Sequence, residues 1–363
     1  MAKALIVHAG FHKTGTTALQ SSFSAARVEL KKSGLVYPDT GAKAHHKAIY
    51  SLMERSWGWE GANPVNKKKW QELVRKVNRA PKTAIISSEF LCELESNQIK
   101  KFQSDLKIQN TKIYFTLRPL LKIVPSAYQQ HLKIGIRSDY EKWLHSILDV
   151  PGESTLTPSF WVRHMHAEVL QKWVSIYGRE NIKVVIVDEN NPGFMYEVFN
   201  KELGLKNILK PQKDKDSNRS LTLNEVALLR RINKIFPRRR GWHSYESFIR
   251  QGTFKYLTNK IEPDRHEPRL LTPEWAVEKI REISRASVAQ IKDLGIEIIG
   301  DIDSFEKASV PTGSTVEPET IPVELAARAL IANDLRMVET FPKKWLAQKL
   351  WKMIKRDIKS WLK

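Results

Sequence analysis

Short apolar runs alternate with amphipathic segments along most of this chain, and that alternation limits the fold more than any other feature. The runs are KALIVHA, LVYP, KTAIISSE, KIYFTLR and KVVIVDE. Each is bounded by polar or turn residues, as buried strands are. Between and after them, the stretches Thr16–Gly34, Pro119–Lys133, Ser159–Gly178 and Pro192–Gly204 carry apolar residues at helical spacing. Asn224–Ile235 and Pro273–Leu294 do the same. Strands alternating with helices predict an α/β three-layer fold, a central parallel sheet covered by helices on both faces.

The length of 363 residues allows one to two domains. No run of eighteen or more apolar residues occurs, so no spanning helix is expected. The start, MAKALIVHAG, enters the first strand directly and leaves no room for a signal or transit peptide. The single cysteine, Cys92, excludes an internal disulfide framework and reads as a small packed hydrophobe. Together these features point to a cytoplasmic location. No Cys/His metal spacing appears, so no metal is expected. The net charge of +20 suits an anionic partner: nucleic acid, a lipid surface, an acidic polysaccharide or a phosphate-rich cosubstrate.

The segment KASVPTGSTVEPETIP lacks periodicity. It divides the chain into a catalytic domain at 1–303, a flexible linker at 304–322 and a C-terminal helical tail at 323–363. In that tail Leu346, Leu350, Met353, Ile354, Ile358 and Trp361 share one helical side, and Lys349, Lys352, Lys355, Arg356 and Lys359 the other. A basic amphipathic helix with tryptophans at its ends fits an anionic membrane surface, met in-plane through 343–363 on the inner face. Packing of the same helix on the domain is the competing expectation.

The most informative short stretch is HAGFHKTGTTALQ, 8–20. It joins the first strand to the first helix. Backbone N–H groups in such a loop, with the partial positive charge of the helix N-terminus, form a cradle for an anion. Gly10 and Gly15 permit tight turns, Thr14, Thr16 and Thr17 offer hydroxyls, and Lys13 adds a full charge. The glycine spacing is that of a nucleoside-triphosphate loop, but Thr16 and Thr17 stand where that loop has Lys and Ser/Thr. The lysine sits inside the loop instead.

Gly10, Lys13, Thr14, Gly15, Thr16, Thr17 and Leu19 match the pattern G-x-x-K-[ST]-G-T-[ST]-x-L that follows a first strand. The segment resembles the 5′-phosphosulfate loop of sulfotransferases that use 3′-phosphoadenosine-5′-phosphosulfate (PAPS), of the carbohydrate or glycan type. Arg118 ends a strand, and Ser126 follows eight residues later in a helix. This pair resembles the one that holds the donor's 3′-phosphate in that family; an Arg fork gives two charge-assisted bonds to a phosphate. The resemblance runs through about the first 300 residues in order of elements. It implies a P-loop-NTPase-like fold, PAPS as cosubstrate, no metal, and 5′-end contacts from Gly10, Phe11, His12, Lys13, Thr14, Gly15, Thr16 and Thr17. It also implies that Lys13 neutralises charge on the bridging oxygen. Arg219 and Ser220 stand where the family has a later basic loop, although the R-K-G of that loop is missing. A capping box of Thr222 and Glu225 is the competing reading there.

Transfer to a hydroxyl needs a base. Glu89 closes the KTAIISSE run, where ligands meet the carboxyl ends of parallel strands. It also resembles the base of glycan-modifying sulfotransferases. His45, paired with His46 in GAKAHHKAIY, is the alternative base or an acceptor contact. His12 and His131 are further candidates. His8 is expected to point into the sheet and His131 to lie at the surface. The basic run FPRRRGW could rim an anionic acceptor. The acceptor implied is a carbohydrate or glycolipid hydroxyl, with nucleic acid the least favoured partner. Two alternatives stay open. A variant-loop nucleotide kinase would need a lysine just after Gly15 and a Mg²⁺-binding Asp, for which Asp188 is the one strand-end candidate. A non-catalytic basic protein binding membrane or RNA would explain the charge but not two separate phosphate seats.

Overall fold

The computed structural model describes residues 2–56, 66–212, 219–340, 350–351 and 354–355. Six parallel strands form one sheet: β1 (Ala4–His8), β2 (Leu35–Val36), β3 (Thr83–Ser87), β4 (Asn110–Leu117), β5 (Ile182–Ile186) and β6 (Glu297–Ile299). Their order is β2-β3-β1-β4-β5-β6. The register places His8 beside Ser87 on one side and Tyr114 on the other. Side chains alternate between faces, so Leu5, Val7, Val184 and Ile186 enter one core with Phe115 and Trp173. Ile85, Tyr114 and Val185 enter the other, with Phe23 and Phe199. Both faces being covered is why the strands read as near-continuous apolar runs. This is the three-layer α/β fold that the alternation predicts.

The first five strands coincide with the five runs. β6 was not anticipated: it is three residues long, lies at the sheet edge, and follows the helix Glu274–Asp293 after only a short turn. Two expected helices are divided. Thr16–Gly34 becomes α1 (Thr16–Ala25) and Arg27–Lys32, with Ala26 between them at φ −89°, ψ 15°. Ser159–Gly178 breaks at Met165, whose ψ of 78° is not helical. The helix Leu120–Leu132 runs on through Pro125.

The chain divides into two compact units, and not at residue 303. The first comprises Met1–His131, Ser138–Lys215 and Leu270–Val316; the second comprises Leu132–Arg137, Asp216–Arg269 and Glu317–Lys363. The segment read as a linker at 304–322 is tied down at both ends. Ser304–Lys307 is helical and buries Phe305. The Gly313 amide donates to the Thr272 carbonyl, and Leu271 N donates to Thr315 Oγ1. Further on, Glu317 pairs with Arg230 inside the second unit. The helix Val323–Thr340 is no free tail either: Ala329 joins a cluster with Leu228 and Leu257. Most of the basic helix expected at 343–363 lies outside the described residues.

β1 and β4 are neighbours whose outgoing connections leave in opposite directions along the sheet, toward β2 and toward β5. A crevice opens at the carboxyl ends of such a pair, the usual ligand position in an open parallel sheet.

Candidate active site

The loop after β1 fills that crevice. Ala9 N and Phe11 N donate to the carbonyls of Tyr114 and Thr116, so the chain continues to pair with β4 past the end of β1. Gly10 is needed here for space. A Cβ would overlap the Thr116 hydroxyl and would lie 2.6 Å from the Thr16 methyl and 2.9 Å from His8 Nε2. The turn into α1 uses two left-handed residues, Lys13 at φ 66° and Gly15 at φ 78°. Glycine takes this region freely, whereas Lys13 is held there against its preference. Gly15 is the N-cap, and helix geometry leaves the Thr16 and Thr17 amides without intrahelical acceptors.

A directed chain of buried hydrogen bonds fixes the loop from below. Thr14 Oγ1 donates to the Phe11 carbonyl at 2.7 Å, so the Thr116 hydroxyl, 2.8 Å away, must donate to Thr14. His8 Nε2 then donates to Thr116 Oγ1 at 3.5 Å, and His8 Nδ1 accepts from Ser87 Oγ at 2.8 Å. In a neutral imidazole the one proton is then on Nε2, which leaves Nδ1 to accept. Burial holds His8 neutral by lowering its pKa to about 4, against the pull of Glu89. His8 thus points within the sheet, as expected.

Two loop residues named as ligand contacts are spent on structure. The Thr14 hydroxyl is fully buried in this chain of bonds. Phe11 is buried with its ring against Phe115 and His166, at centroid distances of 5.4 and 4.5 Å. Their side chains shape the cradle and do not line it. Lys13 Nζ donates to Gln130 Oε1 at 3.2 Å. Burial lowers its pKa to about 8, with Glu89 opposing and Arg118 adding to the shift. His12 Nε2 donates to Glu93 Oε1 at 3.0 Å. Glu93 is a buried carboxylate that also accepts from Arg163 at 2.8 Å and Arg55 at 2.9 Å. Burial alone would raise it; Arg163, His12 and Arg55 bring its pKa down to about 2.

Glu89 begins a short helix, Glu89–Glu93, directly after β3. Its Oε2 accepts from Gln20 of α1 at 2.9 Å and lies 3.5 Å from His46 Nε2. Burial pushes its pKa up, but His46, His12 and Gln20 outweigh that and leave it lowered. His46 Nδ1 meets Ser88 Oγ at 2.9 Å. His45, the alternative base, faces the other way. Its Nε2 donates to the Pro38 carbonyl at 2.9 Å, and its Nδ1 accepts from the Ser87 amide at 3.1 Å. With both nitrogens used in a 1% exposed site, His45 anchors the helix His46–Leu52 to β3 and has no lone pair for chemistry. His131 is buried rather than at the surface, because the helix Leu120–Leu132 is covered on most of its circumference.

Arg118 leaves β4 beside the loop and ties to it through Nη1, which donates to the Lys13 carbonyl at 3.4 Å. Its Nε and Nη2 both reach Glu189 Oε1 at 2.6 Å. Ser126 is half-buried on the helix Leu120–Leu132, one turn before Gln130. Arg219 and Ser220 belong to the second unit. Arg219 grips the Glu225 carboxylate with two bonds of 2.8 and 2.6 Å and donates to the carbonyls of Leu257 and Ile261. Its fork is consumed there, beside the Thr222/Glu225 capping box, while the Ser220 carbonyl accepts from Arg219 and Arg269.

Gln20, Gln130, Glu93, Arg163 and Glu189 surround the candidate residues, and none of them stands out in the sequence. Helical spacing could have found two of them: Gln20 lies four residues after Thr16, and Gln130 four after Ser126. The others meet the loop only through tertiary structure. Among the described residues no group of three or more His, Cys, Asp or Glu is placed to hold a metal, and no helix is long and apolar enough to cross a membrane.

No protein-family model matches the chain, and no curated protein does. A solved structure of a sulfotransferase from Alicyclobacillus acidocaldarius is similar at 16% identity and a TM-score of 0.40, covering 68% of this chain and 100% of that one. A likeness of that size assigns neither a family nor an activity.

Proposed function

We propose that the protein is a sulfotransferase that moves a sulfuryl group from PAPS to a hydroxyl of a carbohydrate or lipid-linked acceptor. The observation that carries this reading is the meeting of three elements at the carboxyl ends of three adjacent strands. The Lys13 loop follows β1, Arg118 leaves β4 and bonds to the Lys13 carbonyl, and Glu89 follows β3 within electrostatic reach of Lys13. A triphosphate puts its charge in one chain beside one lysine. Two cationic seats on different strands suit a donor with anions at both ends.

In this reading the amides of the loop and Lys13 hold the 5′-phosphosulfate, and Arg118 with Ser126 holds the 3′-phosphate. The donor supplies the sulfuryl group. Glu89 takes the proton from the acceptor hydroxyl as the new S–O bond forms. Lys13 balances the charge left on the bridging oxygen as the old bond breaks. His46, beside Glu89, is placed to share that proton, and His45 has no role. Buried Glu93 fixes His12 with Nε2 as donor, which keeps the imidazole in one orientation under the loop. An anionic membrane surface met through 343–363 belongs to the same reading and favours a glycolipid acceptor.

The test is calorimetric binding of 3′-phosphoadenosine-5′-phosphate (PAP) without Mg²⁺, against ADP and ATP. The expected result is selective PAP binding, reduced at least roughly tenfold in Arg118→Ala and in Lys13→Ala, each of which removes a charge-assisted contact worth about 1.5–3 kcal/mol. Glu89→Gln should retain PAP binding and lose transfer. Preference for ATP with Mg²⁺ would return the loop to a nucleotide kinase.

A further inference from the structure

Arg118 does not present an open fork. Its Nε–Nη2 edge, the edge that takes an anion with two parallel bonds, is already filled by Glu189 Oε1 at 2.6 Å. The remaining Nη1 donates to the Lys13 carbonyl. The second oxygen, Glu189 Oε2, lies 3.3 Å from Nζ of Lys122, in the first turn of the helix Leu120–Leu132. One carboxylate therefore bridges the two cations at the carboxyl end of β4. Glu189 reaches them from the segment after β5, and with Lys122 it lines a cleft of about 540 Å³ that also has Phe194, Asp301 and Lys307 in its wall.

We propose that Glu189 is a specificity-determining residue that occupies the anion seat of Arg118 and Lys122 and is displaced by the donor's terminal phosphate. The proposal rests on the reading of Arg118 as the 3′-phosphate seat. A phosphate cannot take the Nε–Nη2 edge while Glu189 holds it, and the two anions repel if both stay. The cleft gives the carboxylate somewhere to turn. Displacement has a cost, and a ligand recovers it only if its own anion binds both cations more strongly than a carboxylate does. A dianionic phosphomonoester meets that condition. A nucleotide with no phosphate at that position does not, because it leaves Glu189 in place. The seat thus selects for the phosphate and discourages smaller anions.

The size of the effect follows from exposure. Arg118, Lys122 and Glu189 side chains are 27%, 28% and 35% exposed, so the competing pair is partly screened and modest. Glu189→Gln keeps the shape and removes the charge. It should tighten PAP binding by about fivefold, the factor that corresponds to roughly 1 kcal/mol, and leave AMP binding unchanged. Glu189→Asp, which keeps the charge on a shorter arm, should fall between them, and melting temperatures confirm that each variant is folded. Equal or weaker PAP binding in Glu189→Gln overturns the proposal and leaves the sulfotransferase reading intact; it would mean that Glu189 orients Arg118 for the ligand. Tightening of PAP and AMP alike also overturns it, as a general charge effect. Failure of every form to bind PAP removes this proposal and the donor assignment together.

Discussion

Lys13 carries a charge that burial works against. Its pKa falls to about 8 because burial outweighs the attraction of Glu89, and Arg118 adds to the fall. The sign of the consequence is fixed. Below that value the ammonium is charged and attracts an anion; as pH rises through it the charge is lost. A bound anion favours the charged form and moves the midpoint upward. PAP affinity should therefore fall between pH 7 and pH 10, and Lys13→Arg, charged throughout that range, should flatten the profile. An unchanged slope in Lys13→Arg, read by calorimetry across pH, would rule Lys13 out as the titrating group. At this scale the sequence was legible where the chemistry is local. Gly10, Lys13 and Gly15 could be read because one short loop carries all three at a recognisable spacing. Glu189, Glu93 and Arg163 could not. Each is an ordinary charged residue in its own segment and acquires meaning only when another strand brings a cation or carboxylate against it.

Capping and register decide where the elements begin. Thr222 accepts from the Glu225 amide and Glu225 returns a bond to the Thr222 amide, so the helix Leu223–Ile235 starts with two amides satisfied. Arg219 then uses the same Glu225. Thr222→Ala should cost about 1 kcal/mol of stability, read in urea melts, with PAP affinity unchanged. A large loss of PAP affinity with unchanged stability would instead bring Arg219 and Ser220 back as ligand contacts. The capping box was visible in the sequence because its signal spans four residues. The four longer apolar runs, those of β1, β3, β4 and β5, were visible because a strand buried on both faces needs apolar residues throughout; the two-residue β2 was legible only because Gly34 and Pro38 bracket its run. β6 was not: three residues carry too little periodicity to separate from the helix before them. The breaks at Ala26 and Met165 were equally silent, since neither residue opposes a helix by its own chemistry.

At the scale of the molecule, buried histidines couple the fold to acid. Burial lowers His8, His45 and His166 to about 4 and His131 to about 3. Each folded value lies below that of the unfolded chain. The unfolded chain thus binds more protons between about pH 6.5 and pH 4, and stability rises with pH through that window. The stabilisation is fully present above pH 6.5 and is lost as pH falls toward 4; Glu93, whose pKa is about 2, extends the loss further down. Melting temperature should drop steeply from pH 6.5 to 4. His166→Phe, at a site between Phe11 and Phe305, should make the drop shallower by about one proton. A flat melting profile over that window would contradict this account.

The second unit is assembled from three separate stretches, one of them the six residues from Leu132 to Arg137 and one beginning at Glu317. In vectorial synthesis this sets an order of events. β1, β3 and β4, with Lys13, Glu89 and Arg118, have all emerged by residue 118, and Glu189 follows close behind β5. The sheet still lacks β6, and Arg230 must wait for Glu317. The ribosome therefore delivers every residue of the proposed site while a sheet edge is open and the second unit is unfinished. A nascent chain of about 190 residues already holds the groups proposed to bind the donor, and a ligand that bound them at that stage would act on folding as well as on the finished protein.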